Sequence, residues 1–427
     1  MIALNRKKAP KFQQIDNIEF LYPESTSLKN GIPLHTLSGG SQEIIKIDFI
    51  FNAGFWHQHQ PLIASAVNSL IKEGTKNYSA FEIADGIDQY GAFLQSDVSF
   101  DHASVTLYTL NKHLEKVIPY FKEIICYPSF SKKEFNIYKN NAFEKFKVNL
   151  EKVSFLARAS FMKEVFNEGN PYGRKPTIDD YEVLSIEDIK KFHAQFYNLS
   201  NCEIIVSGKV SSEIIETLNA FFGDEDLIKK QEKRTENISL TTNSNKIFVE
   251  KEGALQSAIR IGRQIPNKLH KDYYGLQIFN TILGGYFGSR LMKNIREDKG
   301  YTYGIGSGIV SLQNGGYFFI ATEVGRDVTN DALKEIYKEI ELLQKEEVSL
   351  DELDLVKNYL LGQILKSCDG PFNMASLFEN VHFYGLNYNF YNNYIKTIKE
   401  ITPKTLMELG VKYFNTSDLT EVIAGKI

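Results

Sequence analysis

Phe196-Tyr197-Asn198, followed by Ile205-Val206-Ser207-Gly208-Lys209-Val210, returns 217 residues later as Tyr413-Phe414-Asn415, followed by Val422-Ile423-Ala424-Gly425-Lys426-Ile427. Two earlier echoes keep nearly the same offset. Val67-Asn68-Ser69-Leu70-Ile71 is answered by Phe279-Asn280-Thr281-Ile282-Leu283 at 212 residues. Phe135-Asn136-Ile137-Tyr138-Lys139-Asn140 is answered by Leu353-Asp354-Leu355-Val356-Lys357-Asn358 at 218. One such match is cheap, but three in order at a near-constant offset are not. The chain is a tandem duplication of a domain of about 210 residues, an ordinary domain size. The halves are read as residues 1–223 and 247–427, joined by residues 224–246, a stretch rich in Lys, Glu, Asn, Thr and Ser that reads as a solvated linker. Two similar halves joined this way are expected to close face to face around a ligand.

Both halves follow one coarse grammar. Alternating apolar positions at Ile45, Ile47, Phe49 and Phe51 predict a strand leading into a helix over residues 61–72. Ser79 opens a second helix that Gly91 closes; strands over 93–99 and 103–110 and a helix over 114–126 follow. Ser131 is placed to cap a long helix running to about residue 167, with no Gly or Pro to interrupt it. A shorter helix over 186–196 and a strand over 203–207 complete the half. The second half repeats this order: a strand over 257–262, helices from Asp272 and Ser289, strands over 303–310 and 316–323, a helix over 330–343, and a closing strand over 421–424. Strands and helices are grouped rather than strictly alternating. That predicts an α+β class: two tandem homologous domains, each a mostly antiparallel sheet covered by helices on one face.

Bulk composition narrows the function classes. The chain has 427 residues, 43% hydrophobic and 24% charged, with a net charge of −4 and a mean hydropathy of −0.27. A concentrated cationic surface for nucleic acid is not expected. The 30 Phe and 23 Tyr are read as core residues. Cys126, Cys202 and Cys368 are too few and too scattered for a disulfide framework or a cysteine zinc site. Residues 1–10 are basic without an apolar stretch, and no run of eighteen apolar residues occurs, so neither a secretory signal nor a membrane span is expected. The expectation is a soluble cytoplasmic protein.

Asn52-Ala53-Gly54, Leu70 to Gly74-Thr75, Gly91, Pro128-Ser129-Phe130, Asn170-Pro171-Tyr172-Gly173-Arg174, and Leu283-Gly284-Gly285 through Ser289-Arg290-Leu291 stand out along the chain. Together they resemble the pitrilysin, or insulinase, family of zinc peptidases in its half-length, mitochondrial-processing-peptidase-like form. The resemblance covers nearly the whole chain. It implies a helix carrying His-x-x-Glu-His, whose two His at i and i+4 bind one zinc while the Glu takes a proton from the bound water. A third ligand, a Glu, comes from the long helix. Aligned back from Gly74-Thr75, the His positions fall on Ser65 and Ser69 and the Glu on Asn68; the third ligand, six residues after Phe130, falls on Asn136. Ser and Asn are poor zinc ligands, and no His lies between His59 and His102, so a register slip does not restore the motif. His57 and His59, in the loop before Pro61, form a His-x-His pair without a carboxylate at ligand spacing, and read as hydrogen-bonded or solvent-facing rather than metal-binding.

The second half keeps a different family element. Arg296 precedes Tyr303 by seven residues, after the glycine-rich turn that includes Gly284 and Gly285. The turn lacks the Gly-Lys-Ser/Thr of a phosphate loop and reads as a peptide-accommodating loop. In the family, an Arg and a Tyr at this spacing reach across to the zinc-bearing site, hold substrate backbone and stabilise the tetrahedral intermediate; a guanidinium and a phenol suit that task. The resemblance therefore implies a non-catalytic subunit with no zinc of its own, paired with a homologous zinc-bearing subunit in a heterodimer that closes over unfolded peptides. A structural or peptide-binding homodimer is the alternative, and an autonomous zinc peptidase the least favoured reading. Neither nucleic acid nor membrane is an expected partner.

Overall fold

The computed structural model describes residues 15, 18–224 and 244–426. Most of the linker therefore lies outside the described residues; its last residue, Lys246, already opens a strand. The fold is α+β. A six-stranded sheet of order β1-β2-β6-β3-β5-β4 is built from β1 Glu24–Ser27, β2 Pro33–Ser38, β3 Ile44–Phe51, β4 Phe93–Val98, β5 Ala103–Leu110 and β6 Cys202–Gly208. A five-stranded sheet of order β7-β11-β8-β10-β9 is built from β7 Lys246–Glu250, β8 Gln256–Gln264, β9 Ile305–Leu312, β10 Gly315–Gly325 and β11 Thr420–Gly425. Apart from β1, the two orders are the same list shifted by one repeat. Each contains one parallel pair, β2 with β6 and β11 with β7, and is otherwise antiparallel. The parallel partners β2 and β7 escaped the sequence reading, because short strands near a sheet edge carry little alternation.

In the first half, α1 Ile63–Leu70, α2 Ala80–Asp88 and α3 Leu114–Cys126 pack on the face of the sheet that presents Ile45, Ile47, Phe49 and Phe51. Local chemistry explains their ends. Ser79 accepts from the Glu82 N–H and Glu82 returns the bond, a capping box that starts α2. Gly74, at φ +119°, makes the turn after α1 that a side chain would strain. In the second half, α9 Tyr273–Asn280 and α10 Thr329–Lys345 cover the equivalent face with Ile259 and Ile261. There α9 runs into a π-helical turn, Thr281–Gly285, and a second π-helical stretch, Met292–Asp298, stands where the first half has α2.

The long helix predicted from Ser131 is two helices, α4 Lys132–Leu150 and α5 Val153–Phe166. No Gly or Pro marks the break. Lys152 turns extended at φ −93°, ψ 121° because α5 leaves its own half. Its side chains Val153, Ala157, Phe161 and Val165 pack on Ala258, Tyr317, Val422 and Ala424, the second face of the other sheet. The repeat equivalent of α5 is α12, Gly370–His382, which does the reverse. Met374, Ala375, Phe378 and Val381 cover Leu37, Ile50 and Ile205 on the second face of the first sheet. The expected face-to-face closure of the halves thus gives way to an exchange of helices. Each sheet carries its own helices on one face and a helix of the other half on the second. Tertiary burial outweighs the propensity of residues 150–153 to continue one helix.

Candidate functional site

On α1, Ile63, Ala64, Ala66, Val67 and Leu70 enter the first core. Ser65 and Ser69, one turn apart, share the remaining, partly exposed stripe. Ser69 shares a hydrogen bond with the hydroxyl of Tyr138 on α4, whose pKa burial raises. Ser65 opens on a cavity of about 670 Å³ walled by Phe55, Phe100, Phe146, Leu150 and Phe155. Asn68 points into the protein, where its Nδ2 donates to the carbonyls of Asp97 at 2.9 Å and Ser104 at 3.3 Å and lies 3.4 Å from the Tyr197 hydroxyl. It ties α1 to the β4–β5 pair. Asn136 does not join the others. It is exposed, and at two residues from Tyr138 it sits about 200° around α4 from the side that meets Ser69. The donor set facing α4 is therefore hydroxyls beside aromatic rings, with no imidazole or carboxylate. These residues do not fit the zinc of an inverted-zincin helix.

The His-x-His pair diverges. The His57 ring packs tilted against Phe196 at 5.2 Å between ring centroids, and burial holds its pKa down at about 4. His59 is exposed and lies 3.9 Å from Asp188. Among the described residues neither belongs to a group of three converging metal-ligating side chains.

In the second half, Gly284 is buried. A Cβ there would come within 2.6 Å of Ser307 Oγ and 2.8 Å of its backbone nitrogen, so this glycine admits strand β9 rather than a peptide. Gly285 is exposed. Arg296 lies on the π-helical stretch, partly buried, with its guanidinium 4.8 Å from the centre of the exposed Phe287 ring. Among the described residues it makes no ion pair. Tyr303 is 95% exposed. Its turn is nonetheless firmly built: Thr302 Oγ1 accepts from Gly304 N–H at 3.1 Å and lies 2.7 Å from the Glu323 carbonyl oxygen, and Thr322 Oγ1 lies 3.0 Å from it. Tyr303 stands at the rim of a cavity of about 410 Å³ shared with Ser154, Ala157 and Arg260. The cavity at Ser65 meets α5 through Phe155, Leu156 and Ala159 instead. Within one chain, then, Tyr303 and the Ser65 position use different faces of α5.

Two junctions between the halves escaped the sequence reading. Tyr172, from the Asn-Pro-Tyr-Gly-Arg segment, is buried and donates to Asp101 Oδ1 at 2.5 Å. Asp101 Oδ2 accepts from the N–H of Gln313 at 3.0 Å, in the turn between β9 and β10. The motif was visible; its partner across the duplication was not. The second junction joins His35, Glu203 and His382, which are so far apart in sequence that no spacing could link them.

A duplicated α+β shell with exchanged helices, and with hydroxyls where an inverted-zincin helix would carry imidazoles, is the architecture of an insulinase-type peptidase without its zinc ligands. Residues 62–173 match the model of the insulinase family, peptidase family M16, and residues 184–360 that of the peptidase M16 inactive domain. The chain belongs to peptidase family M16. It is similar to the zinc protease PqqE of Helicobacter pylori, with 24% identity over 416 residues covering 93% of this chain and 92% of that protein. It is also similar to the non-peptidase homolog YmxG of the same organism, with 24% identity over 374 residues and 84% of each chain covered. Among solved structures, a peptidase M16 inactive domain from Pseudomonas fluorescens superposes with a TM-score of 0.87 at 22% identity, covering 95% of this chain and 98% of that one.

Proposed function

We propose that this chain is the non-catalytic subunit of a two-subunit zinc metallopeptidase. It closes the peptide chamber over a homologous zinc-bearing subunit and lends Arg296 and Tyr303 to that partner's active site. The observation that carries the reading is the contrast within the chain. The positions of the family's zinc-binding and proton-taking motif hold Ser65, Asn68 and Ser69, while a hydrogen-bonded turn presents Tyr303 to solvent. A preorganised phenol aimed at a developing oxyanion needs no reorganisation when charge forms. Arg296 lies over the Phe287 ring and among the described residues makes no ion pair, which leaves its guanidinium available for substrate carbonyls or a carboxylate. Substrate peptide would add as an extended strand to a sheet edge of the partner, a backbone-driven mode tolerant of sequence. The reading is supported further by the resemblance of this one chain to both a zinc protease and a non-peptidase homolog of a single organism.

The test is co-expression with a zinc-bearing homologue, followed by Arg296→Ala and Tyr303→Phe in the assembled complex. Loss of an oxyanion donor is expected to lower kcat by about 10²–10³-fold. Unchanged peptide cleavage in both variants would remove the trans-acting role. A persistent homodimer that ignores the zinc-bearing homologue would favour a structural or peptide-trapping role instead.

A further inference from the structure

We propose that His35, Glu203 and His382 form a binding site for a zinc-class divalent cation that ties the exchanged helix α12 to the first sheet. His35 lies on β2 and Glu203 on β6, neighbouring parallel strands whose side chains here face α12. His382 is the last residue of α12 and comes from the other half of the chain. His35 Nε2 is 3.2 Å and His382 Nε2 2.5 Å from the same oxygen, Glu203 Oε2, and the candidate ligand atoms all lie within 4.8 Å of one another. In a tetrahedral site with bonds of about 2.0–2.1 Å, neighbouring donor atoms stand about 3.3 Å apart. A cation among these three atoms therefore requires only small side-chain movements.

Two imidazole nitrogens and a carboxylate oxygen form the donor set that suits zinc, and less well magnesium or calcium, which prefer oxygen. An outer partner is in place, since Ser25 Oγ lies 2.8 Å from His35 Nδ1. A proton held on Nδ1 leaves the Nε2 lone pair facing the carboxylate, an arrangement that repels unless a proton or a cation lies between. The surroundings are half closed. His35 is buried, its ring 5.1 Å from that of Phe378, while the side chains of Glu203 and His382 keep 30% and 25% exposure. That opening gives a cation a way in and leaves room for a water as fourth ligand. The site is independent of Arg296 and Tyr303, so its failure would not touch the peptidase-subunit reading.

The full chain, stripped with EDTA, is titrated with Zn²⁺ in competition with a chromophoric chelator, and its melting is followed with and without the metal. One zinc per chain is expected, with a rise in Tm and, for Co²⁺, the intense visible bands of a tetrahedral site. Glu203→Gln and His382→Ala are expected to weaken zinc by more than about 100-fold, since even outer partners of a metal site cost about 10–100-fold. Ser25→Ala, an exposed position that spares the junction, is expected to weaken it by about tenfold. If the ligand variants fail to fold, Ser25→Ala decides: unchanged affinity overturns the proposal. So does the absence of zinc uptake by the parent, or uptake that Glu203→Gln and His382→Ala leave intact.

Discussion

The two exchanged helices occupy equivalent places and meet very different surfaces. Under α5 the contact is apolar and aromatic, with Val153, Ala157 and Phe161 against Ala258, Val422 and Ala424. Arg260, half-buried there, lies over the Phe161 and Phe319 rings. Under α12, Phe378 and Val381 make the same kind of contact, but titratable groups surround it: Lys46, Asp48, His35, Glu203, Glu379 and His382. One topology, written twice, has yielded an unconditional junction and one that solution conditions can tune. The duplication copies the backbone plan, and the side chains at the second sheet face decide how firmly each half grips the other.

The largest effect is expected where the apolar junction is broken. Phe161 is fully buried, and Phe161→Ala should cost about 3–5 kcal/mol in urea unfolding, with little dependence on pH. A loss under about 1 kcal/mol would mean that α5 does not hold the halves together. Next, Tyr172→Phe removes the hydroxyl from the buried Asp101 and should cost about 1–3 kcal/mol. An unchanged unfolding midpoint would show that water replaces that bond.

The polar junction is sharpened by Glu379. Burial, then the nearby Asp48 and Asp97, push its carboxyl up to about 7, with Lys46 opposing them. The folded protein keeps this proton up to about pH 7, whereas the unfolded chain releases it near 4.5. This contribution to stability is therefore full below pH 4.5 and declines as pH rises from 4.5 to about 7. Glu379→Gln should flatten that decline, so that the variant gains on the parent between pH 5 and pH 8 in thermal melts. Parallel pH profiles for the two proteins would refute the assignment. The smallest effect belongs to neither junction: Tyr303→Phe, on an exposed turn, should leave stability within about 0.5 kcal/mol. A larger loss would make Tyr303 a structural residue and weaken its proposed role in a partner's site.

Much of the fold was legible in the residues. The helix over 114–126, the strands around 93–98 and 103–110, and the cap at Ser131 all stand where period and capping chemistry place them. The break at residues 151–152 was not legible, because no local residue causes it; the apolar stripe of α5 finds its partner only in the other sheet. At the candidate site, the loss of imidazoles on α1 could be read directly from Ser65 and Ser69. Which α4 side chain answers them could not: the helix turns Tyr138, rather than Asn136, toward Ser69.

The sequence alone determined the duplication, the α+β class, the family and the absence of zinc ligands from α1, since each rests on residue identity at fixed spacing. Only the tertiary structure decided that the halves exchange α5 and α12, that Tyr303 stands free on a hydrogen-bonded turn, and that His35, Glu203 and His382 meet. Those outcomes depend on contacts between residues far apart in the chain, where burial of distant surfaces overrides anything a local pattern can encode.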